Sequence, residues 1–321
     1  MLRKKVRVKS ILFVIGLSLL FMFSSAYGAD FPKKPVRIIA TADAGGGEDA
    51  DARGIAPFLQ KHLGVNVLVE NQGGAGGKIA FEKFQKTEPN GYSLILSTFP
   101  KSIVMEYMEK VNYRTKDFTP VYAWSRTNPL LVVHVETWRT FEDFLKAAKA
   151  KTLAGGVSAR TGPTYIAGLI AMSELGVKFN LVPFEGAAGS LVAVAGKHLD
   201  FGISLSTTAT SLIDAGKLRP LVLFGDKRDP YLPDVPIPQE LGFNVSSFPA
   251  IRGAMAPPNT PTPIVKVLEE AFSKAVKDPA YMDWAKRRKM AIEAMDAHGF
   301  GKILMEAYPQ VEKFQHLLKE Q

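Results

Sequence analysis

The sequence predicts an α/β fold built from doubly wound, mostly parallel sheets. Three observations carry that prediction. Short β-branched runs alternate with amphipathic helical stretches, beginning at Val36-Arg37-Ile38-Ile39-Ala40. Glycine-rich turns stand where those runs end and the helices begin. The chain has 321 residues, enough for two domains with real cores.

The elements follow in order. Val36 to Ala40 is a strand ending in Gly45-Gly46-Gly47. A helix follows, with Ile55, Leu59 and Leu63 on one face, Gly64 as its stop and Pro57 as an expected bend. Val65 to Val69 is a second strand, ending at Glu70-Asn71. Gly73 to Gly77 leads into a helix from Lys78 to about Lys86, and Tyr92 to Leu96 is a third strand. Leu130 to Val135 is a strand and Phe141 to Lys149 an amphipathic helix. Gly155 to Ser158 ends a strand ahead of a helix from Pro163 to Leu175. Leu181 to Pro183, Phe201 to Ile203, Leu221 to Phe224 and Ala254 to Ala256 are short strands. Thr262-Pro263 is expected to cap and start a helix. The last helix carries Leu304, Tyr308, Val311 and Leu318, and Pro309 should interrupt it.

Composition removes several functional classes. At 46% hydrophobic and 22% charged the chain is globular rather than disordered. It has no cysteine, which excludes disulfides, thiolate metal sites and a cysteine nucleophile. The net charge of +9 is concentrated at the start: Arg3, Lys4, Lys5, Arg7 and Lys9 stand there, with no acid in the first 28 residues. The remainder has 35 basic against 31 acidic residues, so no nucleic-acid partner is expected. The basic start, the apolar run of 13 residues from Ile11 to Phe23, broken only by Ser18, and the small Ala26 and Gly28 read as a secretory signal peptide. A bilayer span needs roughly 20 residues. Cleavage is expected after Gly28, leaving 293 residues for export to the periplasm.

The strand-end loops are the candidate site. They are Asp43 to Asp49, Gly73 to Gly77, Ser97-Thr98 and Ser158 to Gly162. Open α/β sheets bind ligands outside the carboxyl ends of their strands. Glycines there allow close approach, and helix N-termini favour an anion. A dinucleotide site competes, because Gly45-Gly46-Gly47-Glu48-Asp49-Ala50 fits G-x-G-x-x-A and Glu70 ends the second strand. An exported protein has little access to such cofactors, and no proton-transfer constellation follows. The Walker pattern fails at Gln72 and Ile79. The histidines, His62, His134, His198, His298 and His316, share no metal spacing, and no G-x-S-x-G elbow exists. The acidic group Asp43, Glu48, Asp49 and Asp51 lacks the calcium-loop pattern, and Asp49 also suits the positive end of a helix. No catalytic residue, cofactor or metal is expected.

At this point the sequence resembles the substrate-binding proteins of tripartite tricarboxylate transporters, the Bug family. Gly45-Gly46-Gly47-x-Asp49 with Ala52-Arg53 is similar to the family's first loop, and Val69-Glu70-Asn71 with Gly74-Ala75-Gly76-Gly77 to its second. The opening Phe31-Pro32-Lys33-Lys34-Pro35-Val36-Arg37, then Pro89-Asn90-Gly91-Tyr92, Asp117-Phe118-Thr119-Pro120-Val121, Gly216-Lys217-Leu218-Arg219, Leu232-Pro233-Asp234-Val235-Pro236 and Ala256-Pro257 fall in the family's order.

The resemblance implies a two-lobed type II periplasmic-binding-protein fold, each lobe a doubly wound sheet flanked by helices, with the ligand cleft between them. The first lobe would hold residues 29–128 and 249–321, the second 129–248, with crossings near Asn128 and Phe248. The first loop would offer backbone groups to a ligand carboxylate. The implied ligand-binding residues are Thr41, Ala42, Ala44, Gly45, Gly46 and Asp49, then Gly76, Ser97 and Thr98. The second lobe would add Ser158, Arg160, Thr161, Thr164, Phe184 and Ser204. The family's usual Asp-Asn pair maps to Ser204-Leu205 and is missing.

Two departures matter. The family's first-loop prolines are replaced by Thr41, Asp43 and Ala44, and its threonine by Glu48. The added acids either point away from an anion or face a donor-rich ligand. Arg160 replaces a small polar residue; it reads either as a fork for a carboxylate or as a solvated loop residue. The expected function is capture of a small di- or tricarboxylate, or a related organic acid, by a monomer that delivers it to a membrane permease. The alternatives are an exported dinucleotide-binding oxidoreductase and the ligand-binding part of a sensor.

Overall fold

The computed structural model describes residues 31–184 and 186–319. The expected signal segment and its cleavage point lie outside those residues. Among the described residues no helix is long and apolar enough to cross a membrane.

The alternation in the sequence becomes two separate five-stranded sheets. The first contains β1 (Val36–Ala40), β2 (Val67–Asn71), β3 (Ser93–Phe99), β4 (Thr119–Thr127) and β10 (Ala250–Ala256), in the order β2-β1-β3-β10-β4. The second contains β5 (Pro129–His134), β6 (Leu153–Val157), β7 (Phe179–Pro183), β8 (Phe201–Leu205) and β9 (Leu218–Leu223), in the order β7-β6-β8-β5-β9. Each sheet has three parallel strands on one side and one antiparallel strand in fourth place. The antiparallel strands are β10 and β5, the two that arrive from the other sheet. The α/β class expected from the sequence therefore holds, with each sheet mixed by one antiparallel strand and the same strand pattern used twice.

Helices cover both sheets. α1 (Gly47–Leu63), α2 (Lys78–Phe84) and α3 (Lys101–Met108) follow β1, β2 and β3. α4 (Phe141–Ala150), α5 (Pro163–Leu175), α6 (Ala187–Ala195) and α7 (Ser206–Asp214) belong to the second sheet's connections. α8 (Thr262–Ala275), α9 (Pro279–Arg287) and α10 (Ala297–Lys319) close the chain. Local chemistry explains several ends. Gly64 adopts φ 71°, the left-handed turn that stops α1. Thr140 caps α4 by accepting from the Asp143 amide. Residues 163–171 of α5 are all buried, as an all-round apolar helix requires.

Two helix expectations are corrected, at Thr262 and Pro309, while Pro57 lies inside its helix as expected. Thr262 does not cap α8; it is the first helical residue, Pro261 precedes it, and no side-chain cap bond forms. Pro57 and Pro309 lie inside α1 and α10 and end neither. Both prolines are exposed, so water can take up the carbonyl each leaves without an amide partner.

The chain passes between the sheets at Asn128, between β4 and β5, and again ahead of β10. The two passages touch: Ser247 Oγ donates to Asn128 Oδ1 at 3.3 Å. A third tie is α10, which packs on α3 and β4 of the first sheet and on α5 of the second. One apolar cluster consequently runs from Ile95 and Phe99 through Phe300, Val311 and Phe314 to Ile166 and Leu169.

Candidate functional site

The carboxyl ends of the parallel strands in both sheets meet across a crevice. After β2 the backbone takes positive φ at four consecutive residues, Gly74, Ala75, Gly76 and Gly77. Only a glycine-rich segment tolerates such a run. It brings Gly76 against Thr161 of the second sheet: a Cβ on Gly76 would sit 3.0 Å from Thr161 Oγ1. That hydroxyl is buried and has no hydrogen-bond partner among the described residues.

The first loop is held from within. Gly45, at φ 83°, donates its amide to Asp49 Oδ2 at 2.8 Å. Asn71 donates to Asp49 Oδ1 and to the Ala42 carbonyl, and Arg53 pairs with Asp49 at 2.8 Å. Burial raises the Asp49 pKa, but the Gly45 amide, Asn71 and Arg53 outweigh it and lower it overall. Asp49 thus clamps the loop to β2. Ala44 and Gly45 are exposed, while Ala42 and Gly46 are half-buried. Asp43 turns toward the second loop, with its carboxylate where a side chain on Gly73 would have to be.

Glu48 is buried at the start of α1. Lys101 Nζ lies 3.0 and 3.1 Å from its two oxygens. Thr41 Oγ1 donates to it at 2.7 Å and the Thr98 amide at 2.8 Å, with Ser97 Oγ at 3.4 Å. Burial alone would raise its pKa; Lys101, Arg252 and the bonds from Thr41 and Thr98 win and lower it to about 2. Three residues expected to contact ligand, Thr41, Ser97 and Thr98, therefore spend donors on the protein's own carboxylate.

Beside this network lies a pocket between the sheets. From the first side it is lined by Gly47, Asp51, Ser125, Thr127, Arg252 and Arg288. Leu205, Thr207 and Thr208 line it from the second. Arg252 Nε donates to the buried Asp51 carboxylate. Arg288 lies over the Trp284 ring at 5.1 Å. Sequence reasoning missed Lys101, Arg252 and Arg288. One signal was present: Arg252 is the only charged residue in the strand Ala-Ile-Arg-Gly-Ala-Met-Ala.

The second-sheet residues divide. Ser158 and Thr164 bond one another, Oγ to Oγ1 at 2.6 Å, and the Ser158 amide donates to Thr164 at 2.9 Å. Arg160 is exposed on the same loop, and Thr161 is buried against Gly76. Phe184 is half-buried just after β7, its amide bonded to the Val157 carbonyl. Ser204 is fully buried within β8, with its hydroxyl nearest the Leu205 carbonyl.

Two α/β lobes that bring their strand-end loops together on a polar crevice define a ligand-binding protein of the periplasmic type. The chain belongs to the tripartite tricarboxylate transporter family receptors, whose pattern it matches over residues 52–321. A protein from the TAR-I ttuE-ttuC' intergenic region of Agrobacterium vitis is 31% identical over 79% of this chain and 74% of its own. The R. palustris protein Rpa4515 with adipate superposes at a TM-score of 0.81, with 25% identity over 90% of this chain and 99% of that one. MatC from Rhodopseudomonas palustris with bound malate gives a TM-score of 0.75, with 25% identity over 89% and 100%. Both family and fold are those of solute-binding receptors.

Proposed function

We propose that this protein is a periplasmic receptor that captures a small carboxylate between its lobes and delivers it to a tripartite membrane permease. One observation carries the reading: the strand-end loops of both sheets meet at Gly76–Thr161 and around a pocket holding Arg252 and Arg288. The adipate and malate carried by the two similar structures support a carboxylate as ligand. The lobes are assigned as residues 29–128 with 249–321, and 129–248. The chain acts as a monomer without cofactor or catalysis, and is released by cleavage after Gly28. Arg160 meets the ligand from the second lobe.

A thermal-shift screen over mono-, di- and tricarboxylates tests the reading, with nicotinamide dinucleotides as a control. A true ligand raises the melting temperature with its excess over the dissociation constant. A shift with the dinucleotide and none with any carboxylate would overturn it. For Arg160, replacement by alanine is expected to weaken binding by about tenfold or more, with lysine recovering only part.

A further inference from the structure

The ends of β1 and β3 offer the donors an anion would seek: Thr41 Oγ1, Ser97 Oγ, the Thr98 amide and Lys101 Nζ. All four converge on Glu48, whose carboxylate already fills that position. A second carboxylate placed there would meet a buried, ionised acid, and its like charge would repel it. The pocket next to it is different. Its acid, Asp51, takes Nε of Arg252, the one hydrogen bond the Arg252 side chain makes among the described residues, so the guanidinium's terminal amino groups remain for another partner. Arg288 adds a second cation. Gly47 and Thr207 place the first turns of α1 and α7 at the same pocket, and the amides of a first turn favour an anion. Between the lining residues Leu205 and Thr207, the Ser206 hydroxyl is buried without a hydrogen-bond partner among the described residues.

We propose that the anionic group of the ligand docks between Arg252 and Arg288, against Thr207 and Thr208, and not at the ends of β1 and β3. The proposal rests on the small-carboxylate reading and adds to it where the charge binds. Arg252 reaches from the first lobe and the two threonines from the second, so the anion ties the lobes together. Asp51 fixes the orientation of the Arg252 fork and is its positioning residue.

Calorimetry on the mature protein tests this, with adipate, malate and other four- to eight-carbon mono- and dicarboxylates as probes. Arg288→Gln, and the paired change Arg252→Gln with Asp51→Asn, should each weaken the tightest probe by at least about tenfold. The paired change avoids leaving Asp51 buried alone. Should that double variant not fold, Arg288→Gln and Thr207→Val carry the test. Retained affinity in the arginine variants, with a loss of more than about tenfold in Thr41→Val, would move the anion to the strand ends and overturn the proposal while leaving the carboxylate reading intact. Absence of binding for every probe by the unaltered protein would overturn the carboxylate reading, and this proposal with it.

Discussion

Lys101 Nζ lies 3.0 Å from Glu48 Oε1 and 3.1 Å from Glu48 Oε2, and the pair is almost closed to solvent. The lysine opens α3 and the glutamate stands in the first turn of α1. Their contact therefore joins two strand-to-helix turns at the floor of the cleft. Glu48 is further anchored by Thr41 and the Thr98 amide, so this acid organises the loops around it.

Breaking one half of that pair should be far worse than removing both. Lys101→Met leaves a buried carboxylate without its cation, which costs about 3–5 kcal/mol. Lys101→Met combined with Glu48→Gln should recover most of the loss, because no uncompensated charge remains. Denaturant unfolding of the two single variants and the double variant measures the coupling. Additive losses would mean that the two side chains do not act as a pair.

The same acid sets a pH window. Its folded pKa is lowered to about 2 from an ordinary 4.5. A depressed carboxylate stabilises the fold above its unfolded pKa and loses that contribution as pH falls through its folded value. Stability should thus drop between about pH 4.5 and pH 2, by on the order of 3 kcal/mol from this group. Asp49 is shifted in the same direction and adds to the acid sensitivity. In the Glu48→Gln, Lys101→Met double variant the acid limb should flatten. An acid limb of unchanged slope would assign the sensitivity to other carboxylates.

Where pattern and chemistry agree, the sequence was readable to the residue: β1 spans Val36–Ala40 and α5 spans Pro163–Leu175, both as expected. β4 escaped notice because Ser125, Arg126 and Thr127 break its apolar run, although Ser125 and Thr127 line the pocket. α7 opens Ser-Thr-Thr-Ala-Thr-Ser, in which every residue but Ala209 has a weak intrinsic helix preference, and tertiary packing decides its state. The glycine loops were legible because close backbone approach leaves a trace in composition, and Gly76 does come close against Thr161. The charge pairing left no such trace. Glu48 finds its cation 53 positions away and Asp51 finds its own 201 positions away. Only the folded chain shows that Lys101 pairs with the added acid Glu48, and Arg252 with Asp51.

The tie made by α10 predicts a coupled loss. Phe314 is buried in the cluster that reaches both sheets, with Val311 and Leu318 on the same face. Lys313 extends the contact to Glu174 of α5 at 3.2 Å, and Glu174 also takes the Ser246 hydroxyl at 2.7 Å. Phe314→Ala should cost about 3–5 kcal/mol, the usual loss for a core aromatic. Trp138 lies in the second lobe and Trp124 in the first. With Trp284 also replaced, variants that keep only one of the two should both report the lower midpoint. A midpoint shift confined to one of them would show that α10 stabilises a single lobe.

Gly76 offers the most direct control over closure. It sits at φ 66°, and a Cβ there would meet Thr161 Oγ1 at 3.0 Å and the Met105 methyl at 3.3 Å. The first contact crosses between lobes; the second is within one. A larger side chain at this position therefore works as a wedge that opposes the closed arrangement without touching the pocket at Arg252. Gly76→Val also places a β-branched residue in the left-handed region, a strain of about 1–2 kcal/mol. That strain is local to one loop and present whether the lobes are apart or together, whereas the clash is present only when they are together. Differential energy between the two states is what shifts a conformational equilibrium. If the wedge disfavours closure by about 1.4–2.8 kcal/mol, ligand affinity falls about ten- to a hundredfold. Small-angle scattering with a confirmed ligand should then show a larger radius of gyration for Gly76→Val than for the unaltered protein. Adding Thr161→Ala removes the atom being struck and should restore part of the affinity, which relief of backbone strain could not do. A Gly76→Val protein that binds and compacts like the original would show that these loops do not meet when the ligand is held.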